Sequence, residues 1–490
     1  MSITSYSFIL IFLPILIIGY YLLNRKSLYS LGKVLLLVAS LGFYYSLGYK
    51  GLIALSLSIV LCYILATFAF TEKVSKKLQK FFLAIGIILC VLVLLYCKYL
   101  TYFEILLYKY TGTALTYVAI VVPIGISYFT FSQIAYLVDS YRDNSIKYSL
   151  LDYALFISFF PKITVGPIAL STEMIPQFND LARKKADFSV ITRGFYRFTL
   201  GLSKKLLLAD NLAPFVDLCY QNIENLGTIN ALLAIIGYTL QLYFDFSGYC
   251  DISIGICQML GLDLCENFDS PYKALSIAEF WKRWHMSLTR FFTRYVYIPL
   301  GGNRKGKVRT YVNTLIIFLI SGLWHGAATT FVVWGLVHGI GMVISKIIAP
   351  FTQKLPKWLR WFMTFSFVSF AWVLFRSPDL NTAMDMFKQV FSGITEINDT
   401  IVSACLPVEG QFIAFLAKKY ASKTLSYYIR CSIIVVLTML SLLISSLGEN
   451  SFELVKAFKP SRKTLIIIVT LFVLSILSLS QVSEFIYVNF

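Results

Sequence analysis

Apolar runs recur from one end of this chain to the other, and they restrict its fold more than any other feature. They are Phe8 to Leu23, Val34 to Leu47, Leu52 to Phe70, Phe81 to Cys97, Tyr117 to Val138 and Ala231 to Ile256, then Val312 to Leu323, Phe331 to Ile348, Trp361 to Phe375, Ser432 to Leu447 and Thr464 to Leu479. A helix needs roughly 20 apolar residues to cross the hydrocarbon layer, and fewer where it is interrupted or buried in protein. Charged residues make up only 14 % of the 490, against about 25 % in a soluble domain. The expectation is an all-α, polytopic integral membrane protein. About 11 transmembrane segments, with interfacial and re-entrant helices, would surround a central membrane-embedded site. One membrane domain, 1–490, is expected, with no soluble domain of useful size.

The first run has no basic start and no small-residue cleavage site before Asn24, so it reads as a retained helix rather than a signal peptide. Nine cysteines are scattered singly with no CxxC pair. They predict small buried apolar residues, with neither zinc nor a disulfide framework.

The net charge of +18 does not point to nucleic acid, because its clusters fall between apolar runs. Examples are Lys73, Lys76, Lys77 and Lys80, and Lys456, Lys459, Arg462 and Lys463. The positive-inside rule places such short connections in the cytoplasm. Both termini then lie outside the cytoplasm, with 484–490 at the outer surface of the membrane.

All three histidines lie between Phe280 and Gly339, beside tryptophan, glycine and apolar residues. A neutral imidazole suits proton transfer near physiological pH. From Leu275 to Val296, Trp281, Trp284, His285, Leu288, Phe292 and Tyr295 share one helical face. Arg283, Arg290 and Arg294 fall opposite, with Lys282 to one side. This predicts an interfacial helix whose basic face meets lipid phosphates or an anionic donor. A helix from Asn313 to Ile348 would be about 54 Å long, well beyond a layer of about 30 Å. The chain is therefore expected to turn at Gly326–Thr330, leaving His325 beside a break deep in the membrane. Broken backbone at that depth survives only against protein or a cavity, and an ionisable group there is a functional candidate. His338 lies among Gly335, Gly339 and Gly341 and reads as a packing histidine. Gln241, Asp245 and Asp251 interrupt another apolar run. Asp245 either orients a histidine or caps a helix break beside Ser247 and Gly248, with the structural role preferred. Trp324 and Asn313 are assigned orienting parts beside it.

Several segments in order are similar to a known family: YFDFSGYCDISIGI, ENFDSPY, FWKRWHMSLTRFF, YIPLGGN and SGLWHGA, with FFPKITVGPI upstream. They resemble the membrane-bound O-acyltransferases, and within them the bacterial branch that O-acetylates alginate, cellulose or peptidoglycan. The likeness is strongest over 156–339. It implies that His325 is the catalytic base and that His285 is a second histidine lining the site. One departure is visible: many relatives carry Arg-Asp-Tyr where this chain has Thr293-Arg294-Tyr295. The tail 484–490 ends Phe485-Ile-Tyr-Val-Asn-Phe490, similar to a C-terminal acyl-carrying motif. That likeness implies that Tyr487 holds the acyl group temporarily; an aromatic membrane anchor is the plainer reading.

The resemblance implies transfer of acetyl from a cytoplasmic thioester, acetyl-CoA, with no tightly bound cofactor and no metal. Lys282, Arg283, Arg290 and Arg294 would meet the anionic donor or lipid. An extracytoplasmic O-acetyltransferase partner would pass the group to a polysaccharide. D-alanyl or fatty-acyl transfer within the same family is one alternative. A secondary transporter is another, since broken helices and intramembrane carboxylates serve transport too, but no convincing internal repeat is visible.

Overall fold

A computed structural model of the chain describes residues 1–112, 122–405, 415–416, 418–419, 422–481 and 485–486. These residues form helices and their connections, with no strand among them. In lipid every backbone polar group needs an internal partner, and helices supply it locally.

Among the described residues eight helices are long and apolar enough to cross a membrane: Phe8–Arg25, Tyr49–Ala69, Lys76–Leu100, Thr228–Met259, Thr329–Thr352, Lys357–Arg376, Lys423–Ser446 and Arg462–Ser480. That is fewer than the eleven expected. Tyr29–Tyr45 is apolar but only 17 residues long. Gly306–His325 carries Lys307, Arg309 and Asn313 along its first half. The run 117–138 begins outside the described residues, and helix Ile126–Arg142 holds its second half. The chain is a multi-pass membrane protein.

The chain groups into two compact units interleaved in sequence. One comprises Met1–Thr199, Tyr249–Asn267 and Ser287–Leu300; the other comprises Leu200–Gly248, Phe268–Met286 and Gly301–Phe490. In the first unit, Gly194 and Gly255 let two helices touch, since a Cβ on Gly255 would stand 2.6 Å from the Phe198 nitrogen. Arg197 is buried in the same region. Its Nε donates to Asp251 at 3.0 Å, and its two terminal nitrogens reach Glu266 at 2.6 and 2.5 Å.

All three histidines belong to the second unit. Helix Gly306–His325 stops where the length limit requires a turn, and Thr329–Thr352 returns against it. The two backbones meet at glycines: a Cβ on Gly322 would lie 2.4 Å from Phe331 O, and one on Gly335 would lie 2.4 Å from Phe318 O. A side chain at either position would push the hairpin open. Elsewhere in this unit Lys204–Ala209 is a π-helical stretch, followed by helix Asp210–Gln221. Gly248 lets the long helix Thr228–Met259 approach that stretch, its missing Cβ lying 3.2 Å from the Lys205 nitrogen.

Candidate active site

His325 is the last residue of its helix and is 4 % exposed. Aromatic rings surround it: Trp324 at 4.5 Å between centroids, Phe375 at 4.9 Å, Trp334 at 5.1 Å and Phe331 at 6.3 Å. Trp334 and Phe331 come from the returning helix, and Phe375 from Lys357–Arg376. The break thus delivers a titratable ring to the end of a helix hairpin and packs it against carbon. The ring is thereby held away from the surface, in a fixed position beside Trp324 and Trp334.

The interfacial helix expected over Leu275–Val296 is two short helices, Ile277–Arg283 and Met286–Phe292, with Trp284 and His285 at the joint. His285 has φ +45°, in the left-handed region that a β-carbon disfavours. Strain of this kind persists only where surrounding packing holds it. Here Trp284, 1 % exposed, packs against Phe268 and Trp372 at 5.0 and 5.1 Å. The His285 ring stands 4.8 Å from Phe246 and 6.3 Å from Trp324. Burial pushes its pKa down to about 3, so it is a neutral imidazole at physiological pH. Trp324 therefore neighbours both His285 and His325.

His338 joins the same cluster. Trp281 Nε1 donates to its Nδ1 at 3.2 Å, which puts the imidazole proton on Nε2. Trp334 lies 4.9 Å from His338 and 5.1 Å from His325. Two tryptophans, 324 and 334, thus link three imidazoles in one aromatic core. Trp334, Trp372 and Phe375 were not singled out in the sequence, because tryptophan and phenylalanine in an apolar run carry no sign of which neighbour they will meet.

The remaining candidates fall into different places. Lys282 is exposed. Arg283 donates to Glu279 at 2.9 Å and to the Asp269 carbonyl at 3.1 Å. In the first unit Glu173 grips Arg290 with both oxygens, at 2.6 and 3.0 Å. Asp139 accepts from Arg294 at 2.9 Å and from the Tyr295 hydroxyl at 2.8 Å. A carboxylate from another helix thus stands beside the Thr293-Arg294-Tyr295 departure. Asn313, fully buried, donates to the Gly302 carbonyl at 2.9 Å. Asp245 accepts from Lys205 at 2.7 Å and from the Ile486 backbone N–H at 2.9 Å. Its donors among the described residues include no imidazole. Tyr487 lies outside the described residues. Lys205 had a sequence signal that was not used: a Lys-Lys pair inside an apolar stretch, five residues before Asp210.

Comparison with known proteins gives the family. Residues 105–382 match the model of the membrane-bound O-acyltransferase family. The chain is 39 % identical over 415 residues to the peptidoglycan O-acetyltransferase of Helicobacter pylori, covering 78 % of each chain. It is 35 % identical over 398 residues to a probable alginate O-acetylase AlgI of Pseudomonas aeruginosa, covering 80 % of this chain and 75 % of the relative. A teichoic acid D-alanyltransferase of Bacillus subtilis is 29 % identical over 270 residues, 51 % of this chain and 68 % of the relative. Acyl transfer, rather than transport, is thereby the activity class. An O-acyltransferase with its three histidines gathered in one aromatic core, the chain belongs to the membrane-bound O-acyltransferase family.

Proposed function

We propose that this protein takes an acetyl group from cytoplasmic acetyl-CoA and moves it across the inner membrane for O-acetylation of an extracytoplasmic polysaccharide. The observation that carries the chemical part is His325, buried among four aromatic rings at the end of a broken helix. The acetyl group and the polysaccharide follow from relatives named for O-acetylation, which align over more of this chain than the D-alanyltransferase does.

In this reading a phenol or sugar-type hydroxyl attacks the thioester carbonyl while His325 takes its proton. The C–S bond breaks, an ester forms, and CoA leaves as its thiol with the proton returned by the imidazolium. Base catalysis of this kind is worth about 10²–10⁴-fold. His285 hydrogen-bonds the thioester oxygen or fixes the donor. The attacking hydroxyl is that of Tyr487 or of a partner protein, and an aryl ester on Tyr487 is a reasonable leaving group for the next transfer. A separate extracytoplasmic transferase then receives the acetyl group. Both termini face that side, and Lys282, Arg283, Arg290 and Arg294 are the basic groups for an anionic donor or lipid.

The test uses membranes with wild-type protein or His325→Ala, incubated with acetyl-labelled CoA. Base-labile label on Tyr487 in the wild type and none in the variant supports both base and relay. Label on another membrane protein instead removes the relay, and equal labelling in both samples removes His325 as the base.

A further inference from the structure

We propose that the buried cluster of Lys205, Asp210 and Asp245 is a seat for the chain's own C-terminal segment, with Asp245 the positioning residue that holds the backbone at Ile486. Its meaning for catalysis rests on the acyl relay at Tyr487; the docking itself does not.

The cluster lies in the second unit, and each member is almost wholly buried: Lys205 0 %, Asp245 2 % and Asp210 5 % by side chain. Lys205 Nζ stands 2.7 Å from Asp245 and 2.9 Å from Asp210. Two carboxylates face this ammonium in a buried site, where charge is costly unless hydrogen-bond donors meet it. The tail supplies one. The Ile486 N–H donates to Asp245 Oδ2 at 2.9 Å, while Oδ1 of the same group holds Lys205. A hydrogen bond to an ionised acceptor is about twice as strong as a neutral one. The tail also covers the cation, since the Phe485 ring lies 4.4 Å from Lys205 Nζ and is itself buried.

A second observation brings the tail to this place. Helix Arg462–Leu477 runs against the segment that carries Lys205, and Ser475 Oγ meets Ser203 Oγ at 3.3 Å. The π-helical stretch Lys204–Ala209 begins one residue later. Such stretches re-aim side chains and recur at functional sites. One interface therefore registers the last helix, caps a buried ammonium with Phe485 and pins the residue next to Tyr487. The backbone bond accepts any residue but proline at 486, whereas the aromatic cap asks for a ring at 485.

The experiment is hydrogen exchange on full-length protein in lipid nanodiscs, followed by mass spectrometry of the C-terminal peptide, with Tyr487 acetylation measured on the same samples. A charge-assisted bond of this type corresponds to about 10- to 100-fold in opening. Asp245→Leu and Phe485→Ala should each speed exchange of the tail by at least about tenfold, while peptides around His325 keep their protection. Phe485→Ala changes only the tail, so it remains informative if Asp245→Leu fails to fold. Phe485→Tyr, which keeps the ring, should restore protection, a rescue that general loosening would not give. Tyr487 acetylation should fall in kcat with the KM for acetyl-CoA unchanged. A wild-type tail that exchanges like a free peptide overturns the seat, as does equal protection in every variant. A tail protected in the wild type and released in the variants, with no acetyl on Tyr487, supports the seat and removes only the relay.

Discussion

Arg197 of the first unit and the three histidines of the second are buried in opposite ways. In the first, Arg197 is surrounded by charge, with Asp251 and both oxygens of Glu266 within 3.0 Å. In the second, His285, His325 and His338 are surrounded by rings, and the one direct partner described above for them is the Trp281 N–H on His338. The guanidinium stays charged whatever its surroundings, so its neighbours must neutralise it. An imidazole can be buried by staying neutral, and it then retains a lone pair for chemistry. Charge pairing ties Arg197 to its carboxylates, whereas the histidines are packed among aromatic rings.

The largest expected effects separate these two solutions. His325→Ala should lower acyl transfer by about 10²–10⁴-fold while the melting temperature in detergent stays close to wild type. Arg197→Ala should do the reverse, removing about 3–5 kcal/mol of stability by leaving Asp251 and Glu266 without their cation. A His325 variant that unfolds, or an Arg197 variant that melts normally, would erase the distinction.

Intermediate effects probe how tightly the aromatic core is held. Gly335→Val places a side chain 2.4 Å from the Phe318 carbonyl and should cost about 1–3 kcal/mol through forced separation of the hairpin, read as a lowered denaturation midpoint. His285 adds a pH dependence. Its folded pKa of about 3 lies below the unfolded value of about 6.5. The unfolded state thus binds more protons between those limits, and stability present above pH 6.5 is lost as pH falls toward 3. By pH 5 the loss should be about 2 kcal/mol, and His285→Gln should flatten that slope. If the wild type is equally stable at pH 7 and pH 5, the histidine is not buried in neutral form. The smallest effect belongs to Trp281→Phe, which keeps the ring but removes the hydrogen bond to His338. It should cost about 1 kcal/mol in thermal unfolding and leave acyl transfer nearly intact, as befits a packing histidine.

Much of this was legible from local pattern. The turn after His325 was expected from helix length and the small residues from Gly326 on, and the structure breaks at Gly326, although Lys76–Thr111 shows that 36 residues can form one helix in this chain. The joint at His285 was not legible, since the residues on either side keep a helical period while His285 turns left-handed beside the buried Trp284. The arginines opposite His285 had the spacing of a basic face, yet Arg290 and Arg294 are held by Glu173 and Asp139, which lie more than a hundred residues away in sequence. Asp245 stood out as a costly carboxylate in an apolar run, but its partners come from positions 205 and 486.

From the sequence alone came what depends on near neighbours and on solvent: a helical membrane protein, the place where one helix must break, and the family carried by ordered motifs around His285 and His325. Apolar length and short-range spacing are properties of the chain itself, read without knowing what packs on what. Tertiary structure alone decided which groups meet each buried polar side chain. It put Trp324 beside two histidines and Trp334 between two, and it set Lys205 under Phe485. A buried group's charge and chemistry are set by atoms within a few ångströms, and folding draws those atoms from distant parts of the chain.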